Sequence, residues 1–141
     1  IQFDGAPQMP RLSRFLLGDW LATEACGETS DGFTAAYCHR AGWRHRRAVA
    51  LDDGLTVTDT VAGFAREARL RWRLAPGDWR IEGDTVTNGH HRLSIRADVP
   101  LTLELVQGWE SRRYFERTTL PVVEATVGDP GRIVSDYRWT K

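Results

Sequence analysis

A β-hairpin predicted over residues 43–63 constrains the fold more than any other stretch of the sequence. Apolar and polar residues alternate over residues 43–51 and again over residues 55–61, as in strands with one buried face. Asp52, Asp53 and Gly54 separate the two runs. A three-residue loop that ends in Gly suits a hairpin, because Gly takes the left-handed conformation without steric cost. We therefore expect the sheet to be organised around this hairpin.

The register of the hairpin places two opposite charges on its buried face. If Leu51 faces Leu55, counting back puts Arg47 opposite Asp59, and His45 lies two residues further along the same face. Directly opposed side chains in antiparallel strands are close enough to touch, and burying either charge alone is costly. We predict that Arg47 and Asp59 form a mostly buried ion pair. Such a pair either fixes the register of the two strands or forms part of a functional site. The sequence offers it no acid–base partners, so the structural role is favoured.

The remainder of the chain is predicted to form further short strands separated by turn signals. Residues 24–32 are polar and contain Gly, which indicates a loop, and residues 11–23 are expected to be extended with a bend at Gly18. Asn88-Gly89 is a strong signal for a hairpin turn, and residues 129–131 are expected to turn the last pair of strands. The pattern gives roughly a dozen short strands and no long helix, which predicts an all-β fold, an antiparallel β-sandwich. One domain is expected to cover residues 1–141. The other predicted strands are residues 1–5, 33–39, 68–74, 79–82, 85–87, 92–97, 101–105, 109–118, 122–127 and 132–139.

Composition excludes several classes of function. The 19 basic and 19 acidic residues give no net charge, which argues against wholesale electrostatic binding to nucleic acid. The sequence has neither a signal peptide nor a long apolar run, so no membrane partner is expected. Cys26 and Cys38 are too few for a disulfide framework; they could form one bridge if their strands are neighbours, and otherwise they are isolated, buried Cys residues. The chain starts at Ile1 inside an alternating run, so we expect it to be part of a larger polypeptide.

A basic, hydroxyl-rich surface is predicted on the outward side of the hairpin and of the strand after it. If these three strands form a meander, their outward residues share one face that could hold an acidic polymer, since guanidinium groups match carboxylates and sulfates. The alternative is a solvated face that neighbouring Asp and Glu side chains neutralise. The residues of this predicted face are Arg44, Arg46, Thr56, Thr58, Thr60, Arg69, Arg71 and Arg73.

No pattern of residues identifies a catalytic or metal centre. The four His are not spaced as a zinc site requires, and His90 and His91 point in opposite directions if extended. The segment over residues 109–114, WESRRY, mixes aromatic residues with a Ser and two Arg but lacks a base for a nucleophilic Ser. Phosphate-binding and dinucleotide-binding motifs are also absent from the sequence.

Five stretches of the sequence carry a resemblance when they are taken together. They are residues 45–51 (HRRAVAL), 55–63 (LTVTDTVAG), 70–79 (LRWRLAPGDW), 108–127 (GWESRRYFERTTLPVVEATV) and 131–139 (GRIVSDYRW). The set resembles the C-terminal β domain of heparinase II/III-like polysaccharide lyases, and the similarity extends over nearly the whole chain. The opening residues 1–16 also resemble the segment that follows an Arg…His-Asn-Thr motif in that family.

This resemblance implies a two-part bacterial enzyme, periplasmic or extracellular, in which an α/α toroid precedes an antiparallel β-sandwich. Such enzymes cleave uronate-containing polysaccharides by β-elimination, with Tyr and His of the toroid carrying much of the chemistry. Some members hold a structural zinc in the early strands of the β domain. The toroid, the His-Asn motif and those metal ligands would lie before Ile1, so no catalytic or metal residue is transferred to this chain.

Three hypotheses for function follow from the sequence. The first is a non-catalytic β-sandwich domain of a heparinase II/III-like lyase, which packs on the toroid and shapes the cleft for an acidic polysaccharide. The second is a free-standing carbohydrate-binding module that uses the basic face and an exposed Trp. The third, a complete small hydrolase, is the least favoured because the sequence contains no assembled acid–base set.

Overall fold

The structure, a computed structural model, describes residues 1–140 as two antiparallel β-sheets packed face to face. The smaller sheet has four strands in the order β1-β6-β11-β10, and the larger has eight in the order β2-β3-β4-β5-β12-β9-β8-β7. The predicted all-β sandwich is confirmed. Residues 1–140 include no helix long and apolar enough to cross a membrane. The strands are β1 (Gln2–Phe3), β2 (Ala22–Thr29), β3 (Gly32–Cys38), β4 (Arg44–Leu51), β5 (Leu55–Ala62), β6 (Ala68–Arg73), β7 (Arg80–Glu82), β8 (Thr85–Thr87), β9 (His91–Ala97), β10 (Leu101–Glu110), β11 (Thr118–Val127) and β12 (Gly131–Trp139).

The core lies between the two sheets and draws on the inward residues of both. In β11, the inward residues Val123 and Ala125 are fully buried and pair with Trp72 and Leu70 of β6. Alternation along each strand therefore sends one set of side chains to the core and the other to solvent. The large sheet contributes its own inward set, which includes Val57, Val61, Leu93, Ile95 and Ile133.

The register predicted for the central hairpin is confirmed. Strand β4 pairs with β5 so that Leu51 faces Leu55 and Arg47 faces Asp59. The hairpin predicted at Asn88-Gly89 also forms, between β8 and β9. Both hairpins are local features, in which turn chemistry and apolar alternation fix the pairing.

The predicted meander of the hairpin with the next strand is wrong, because β6 belongs to the other sheet. The chain crosses over after β5, and the large sheet places β12 beside β5 instead. Gly63 takes a φ of +78° at this crossing, where a Cβ atom would lie 2.1 Å from the carbonyl oxygen of Gly42. Asp4 holds the crossing segment by accepting hydrogen bonds from the backbone amides of Ala65, Arg66 and Glu67. Those bonds, led by that of Ala65, keep the pKa of the Asp4 carboxyl below its usual value.

Four further sequence predictions are corrected by the structure. Residues 24–32 are not one loop: residues 24–29 belong to β2, an edge strand that is exposed on both faces and so lacks apolar alternation, and residues 30 and 31 form a turn. Residues 111–117 form a loop between β10 and β11 rather than a strand. The turn at residues 129–131 joins strands of different sheets, not a pair. In the segment over residues 11–23, an isolated bridge joins Arg11 to Leu17, and there are two bends, one at residues 13–15 and one at Asp19, next to Gly18.

Candidate functional site

The predicted ion pair is present on the inner face of the large sheet, and it includes a third residue. Arg47 donates from Nε to Oδ1 of Asp59 at 2.7 Å and from Nη2 to Oδ2 at 3.0 Å. His45 places its Nε2 atom 2.5 Å from Oδ1 of the same carboxylate. Asp59 is fully buried and the His45 side chain is 8% exposed, but the Arg47 side chain is 39% exposed. Asp59 is therefore as deeply buried as predicted, whereas Arg47 is only partly buried.

The environment of Asp59 suits a structural role rather than acid–base catalysis. Burial opposes its ionisation, but the hydrogen bonds from His45 and Arg47 outweigh burial, so the pKa of Asp59 lies below its usual value. Both carboxylate oxygens are occupied, and neither faces solvent. A general base needs a free oxygen within reach of a substrate proton, and Asp59 offers none.

His45 is the residue that sequence reasoning missed at this cluster. The register places it directly opposite Val61, as the alternation predicts, yet its ring reaches diagonally to Asp59. Diagonal neighbours on one sheet face lie within reach of long and aromatic side chains. The sequence did indicate that His45 could reach Asp59, because His45 and Arg47 are two residues apart and lie on the same face of β4. The ring of Tyr37 packs edge-on against His45, with ring centroids 5.3 Å apart.

The predicted basic face is divided between the two outer surfaces of the sandwich. Arg44 and Arg46 lie on the outer face of the large sheet, where Arg46 is opposite Thr60. Arg69, Arg71 and Arg73 lie on the outer face of the small sheet. The two sets therefore point away from each other. The single face predicted from the sequence does not exist, because β6 belongs to the small sheet.

Acidic neighbours hold two of the three arginines of β6 in place. Glu124 on β11 accepts a hydrogen bond from Arg71 Nε at 2.6 Å, and its Oε2 atom forms an ion pair with Nη1 of Arg69 at 3.2 Å. Glu67 accepts from Arg69 Nη2 at 2.9 Å. Arg73 has no carboxylate partner within residues 1–140 and donates instead to the backbone carbonyl of Trp109. These contacts fix the orientation of the guanidinium groups across the sheet.

A groove of about 520 Å³ follows this outer face of the small sheet. Arg71, Arg73 and Trp109 line it together with Val122 and Glu124. Its base includes Gly108, where a Cβ atom would lie 2.5 Å from Cγ2 of Val122. We refer to it below as the outer groove.

Trp109 gives the outer groove an aromatic wall that sequence reasoning did not assign. Its side chain is 51% exposed, and the guanidinium carbon of Arg117 lies 4.0 Å from the centre of the Trp109 ring. A cation over an indole face is favourable, so the stacked Arg117 adds a positive charge beside this wall. The signal in the sequence was the placement of Trp109 and Arg117 on the two sides of one hairpin loop.

The outer groove carries no assembled acid–base pair. Its charged groups are arginines, which do not exchange protons near neutral pH, and Glu124, which is already committed to two of them. Within the part of the chain that the structure describes, no three His, Cys, Asp or Glu side chains are close enough to hold a metal ion. Cys26 and Cys38 are free: their strands pair, but Cys26 lies opposite Ala35 and Cys38 lies opposite Ala22. Arginines beside an aromatic ring instead suit a ligand with anionic groups and an apolar face.

The fold matches part of solved structures described as heparinase III and as a heparan sulfate lyase. No family model matches the sequence, and no curated protein matches it. Among solved structures, the heparinase III BT4657 gene product is 18% identical, with a TM-score of 0.69 over 86% of this chain and 22% of that one. Heparan sulfate lyase HepC from Pedobacter heparinus is 13% identical, with a TM-score of 0.64 over 85% of this chain and 22% of that one. The family resemblance expected from the sequence is thus confirmed at the level of the fold, and the chain spans about a fifth of the length of these lyases.

Proposed function

We propose that the chain is the non-catalytic β-sandwich domain of a heparinase II/III-like polysaccharide lyase. In this role it packs against a helical toroid and supplies one wall of the cleft for a uronate-containing polysaccharide, which the lyase cleaves by β-elimination. The observation that carries the proposal is the match of the fold, over 86% of the chain, to a heparinase III structure.

The outer groove is the surface that we assign to the polysaccharide. Its arginines, Arg71 and Arg73, can pair with carboxylate or sulfate groups, and Trp109 offers a flat apolar surface to a sugar ring. Arg69 supports them from the same strand and shares Glu124 with Arg71. Arg44 and Arg46 lie on the opposite surface, so they have no part in this groove.

The absence of an acid–base set in the outer groove supports a binding role rather than a chemical one. β-Elimination needs a base for the C5 proton and an acid for the leaving oxygen, and the buried Asp59 can serve as neither. In the proposal these groups come from the toroid. A zinc ion, if the parent enzyme holds one, is likewise assigned to residues outside this chain.

Exposed aromatic side chains support packing against another part of a longer protein. Phe15 and Trp20, in the loop before β2, are 91% and 79% exposed. Tyr114 and Phe115, in the loop between β10 and β11, are 89% and 91% exposed. Clusters of exposed apolar residues mark interaction surfaces more often than isolated ones do. We propose that the loop with Phe15 and Trp20 is where the toroid packs.

The test is to measure binding and turnover by this chain in parallel. We expect it to bind heparin weakly, with a dissociation constant on the order of 1 mM, and to bind less as salt screens the arginines. We expect no unsaturated product, which is detected by its ultraviolet absorbance. Dextran, which lacks charge, is the control polymer. Clear turnover by this chain would contradict the proposal.

A free-standing carbohydrate-binding module is the second candidate, and the completeness of the outer groove favours it. Arg71, Arg73, Trp109, Val122 and Glu124 all come from this chain, so the groove needs no second domain to form. A module works alone and needs useful affinity alone. A dissociation constant on the order of 1 µM for heparin would therefore favour the module over the lyase domain.

A further inference from the structure

A cavity of about 290 Å³ lies between the two sheets, at the end of the sandwich where β5 begins and β6 ends. Its walls are mostly apolar and aromatic. Arg73 is exposed, and it contributes to both this cavity and the outer groove. Its other lining residues include Leu55, Trp72, Trp79, His91 and Tyr137.

The two tryptophans of this cavity are fixed by their indole N–H groups. Trp72 Nε1 donates to Oγ of Ser135 at 3.0 Å, and Trp79 Nε1 donates to the backbone carbonyl of Ala75 at 2.8 Å. With these donors satisfied, each ring offers the cavity an apolar surface in a set orientation. Binding to such a surface costs little ordering of side chains, which is the benefit of preorganisation.

A hydrogen-bonded pair, Tyr137 and His91, adds polar groups to the same cavity. The Tyr137 hydroxyl lies 2.7 Å from Nδ1 of His91, and the two rings are nearly parallel, at 7° with centroids 5.8 Å apart. The His91 ring also stacks against Trp79 at 6.0 Å. Among residues 1–140, no protein group is hydrogen-bonded to Nε2 of His91, so this atom is free to bond a ligand.

We propose that this cavity binds a single pyranose ring. A pyranose has apolar C–H faces and a rim of hydroxyls, and the cavity combines aromatic surfaces with the Tyr137–His91 pair. Small-molecule sites of this kind are mostly apolar, with a few placed polar groups that orient the ligand. The inference goes beyond the proposed function, because it needs neither a charged polymer nor the outer groove.

The first test is titration of the whole chain with N-acetylglucosamine and with methyl glucoside, followed by NMR. We expect both to shift the indole N–H signals of Trp72 and Trp79, with dissociation constants on the order of 1 mM. Indole is the comparison ligand. Shifts with indole and none with either sugar would show a merely apolar cavity and overturn the proposal.

Two variants test the location of the site. Leu55→Trp places a bulky ring in the cavity and should remove sugar binding. Leu51→Trp is the matched control, because Leu51 pairs with Leu55 across the hairpin but is 64% exposed and outside the cavity. Near-ultraviolet circular dichroism establishes that both variants are folded. Sugar binding that persists in folded Leu55→Trp would overturn the proposal.

The polar pair is tested by Tyr137→Phe, which removes the hydroxyl and keeps the ring. Loss of one neutral hydrogen-bonding group should weaken sugar binding by about twofold to tenfold while indole is bound as before. An unchanged sugar affinity would contradict the role of the Tyr137–His91 pair.

Discussion

Replacing Asp59 by Ala removes the acceptor of two neighbouring side chains at once. His45, which is 8% exposed, then keeps a buried N–H without a partner, at a cost of about 1–3 kcal/mol. Arg47 loses two charge-assisted hydrogen bonds, but its side chain is 39% exposed and water can replace part of what it loses. We therefore expect a loss of about 3 kcal/mol in the free energy of unfolding, at the low end of the range for a broken buried pair.

The assay is urea unfolding followed by tryptophan fluorescence, with a thermal melt as the second readout. A loss of this size should lower the melting temperature by about 10 °C. Asp53→Ala is the matched control, because Asp53 is in the same hairpin but exposed at its turn, and the change should cost less than about 0.5 kcal/mol. Equal stability of the Asp59→Ala and Asp53→Ala variants would refute the reasoning.

Three further experiments test separate parts of the structure. Because the pKa of Asp59 is lowered in the fold, its ionisation stabilises the protein above about pH 4, and this stabilisation is lost as pH falls through the folded-state pKa. Asp59→Asn should therefore flatten the decline in melting temperature below about pH 4. An unchanged pH profile would contradict this. The double variant Arg71→Ala/Arg73→Ala should weaken heparin binding about tenfold, whereas Arg46→Ala, on the other outer face, should leave it unchanged. Heparin affinity chromatography measures the difference, and equal retention of all variants would contradict the assignment of the outer groove. Phe15→Ser should change the free energy of unfolding by less than about 0.5 kcal/mol, because the side chain is 91% exposed; a clearly larger loss in a urea titration would show that Phe15 packs in the core.

The sequence was sufficient where the structure depends on local pairing. The register from Leu51 and Leu55 back to Arg47 and Asp59 follows from a turn and an alternating pattern, and the structure has the same pairs. The contact of His45 with Asp59 could not be predicted in the same way. Alternation gives the face on which a side chain lies but not the direction in which it leans.

The sequence was insufficient where pairing is non-local. Strand β5 pairs with β12, which is some seventy residues later in the chain, and no residue pattern near β5 indicates this partner. The crossing at Gly63 instead sends β6 to the small sheet, so the arginines of β6 and those of β4 are on opposite surfaces. The outer groove could not be predicted for the same reason, because it needs β6 beside β11.

Strand β2, at one edge of the large sheet, gave the weakest signal in the sequence. Strand β2 is exposed along nearly its whole length, so no core contacts select apolar residues at alternate positions. Its Glu, Thr and Gly residues are those expected of a loop. Only its pairing with β3 makes it a strand, and that pairing depends on backbone hydrogen bonds rather than on side-chain pattern.

The measurement that tests the central claim most directly is an NMR titration of the chain with a heparin-derived tetrasaccharide, using backbone amide and arginine side-chain signals. The proposed function predicts that the largest shifts fall on Arg71, Arg73 and Trp109, which line the outer groove, and that they diminish at high salt. Shifts centred on Arg44 and Arg46, on the outer face of the other sheet, would contradict it.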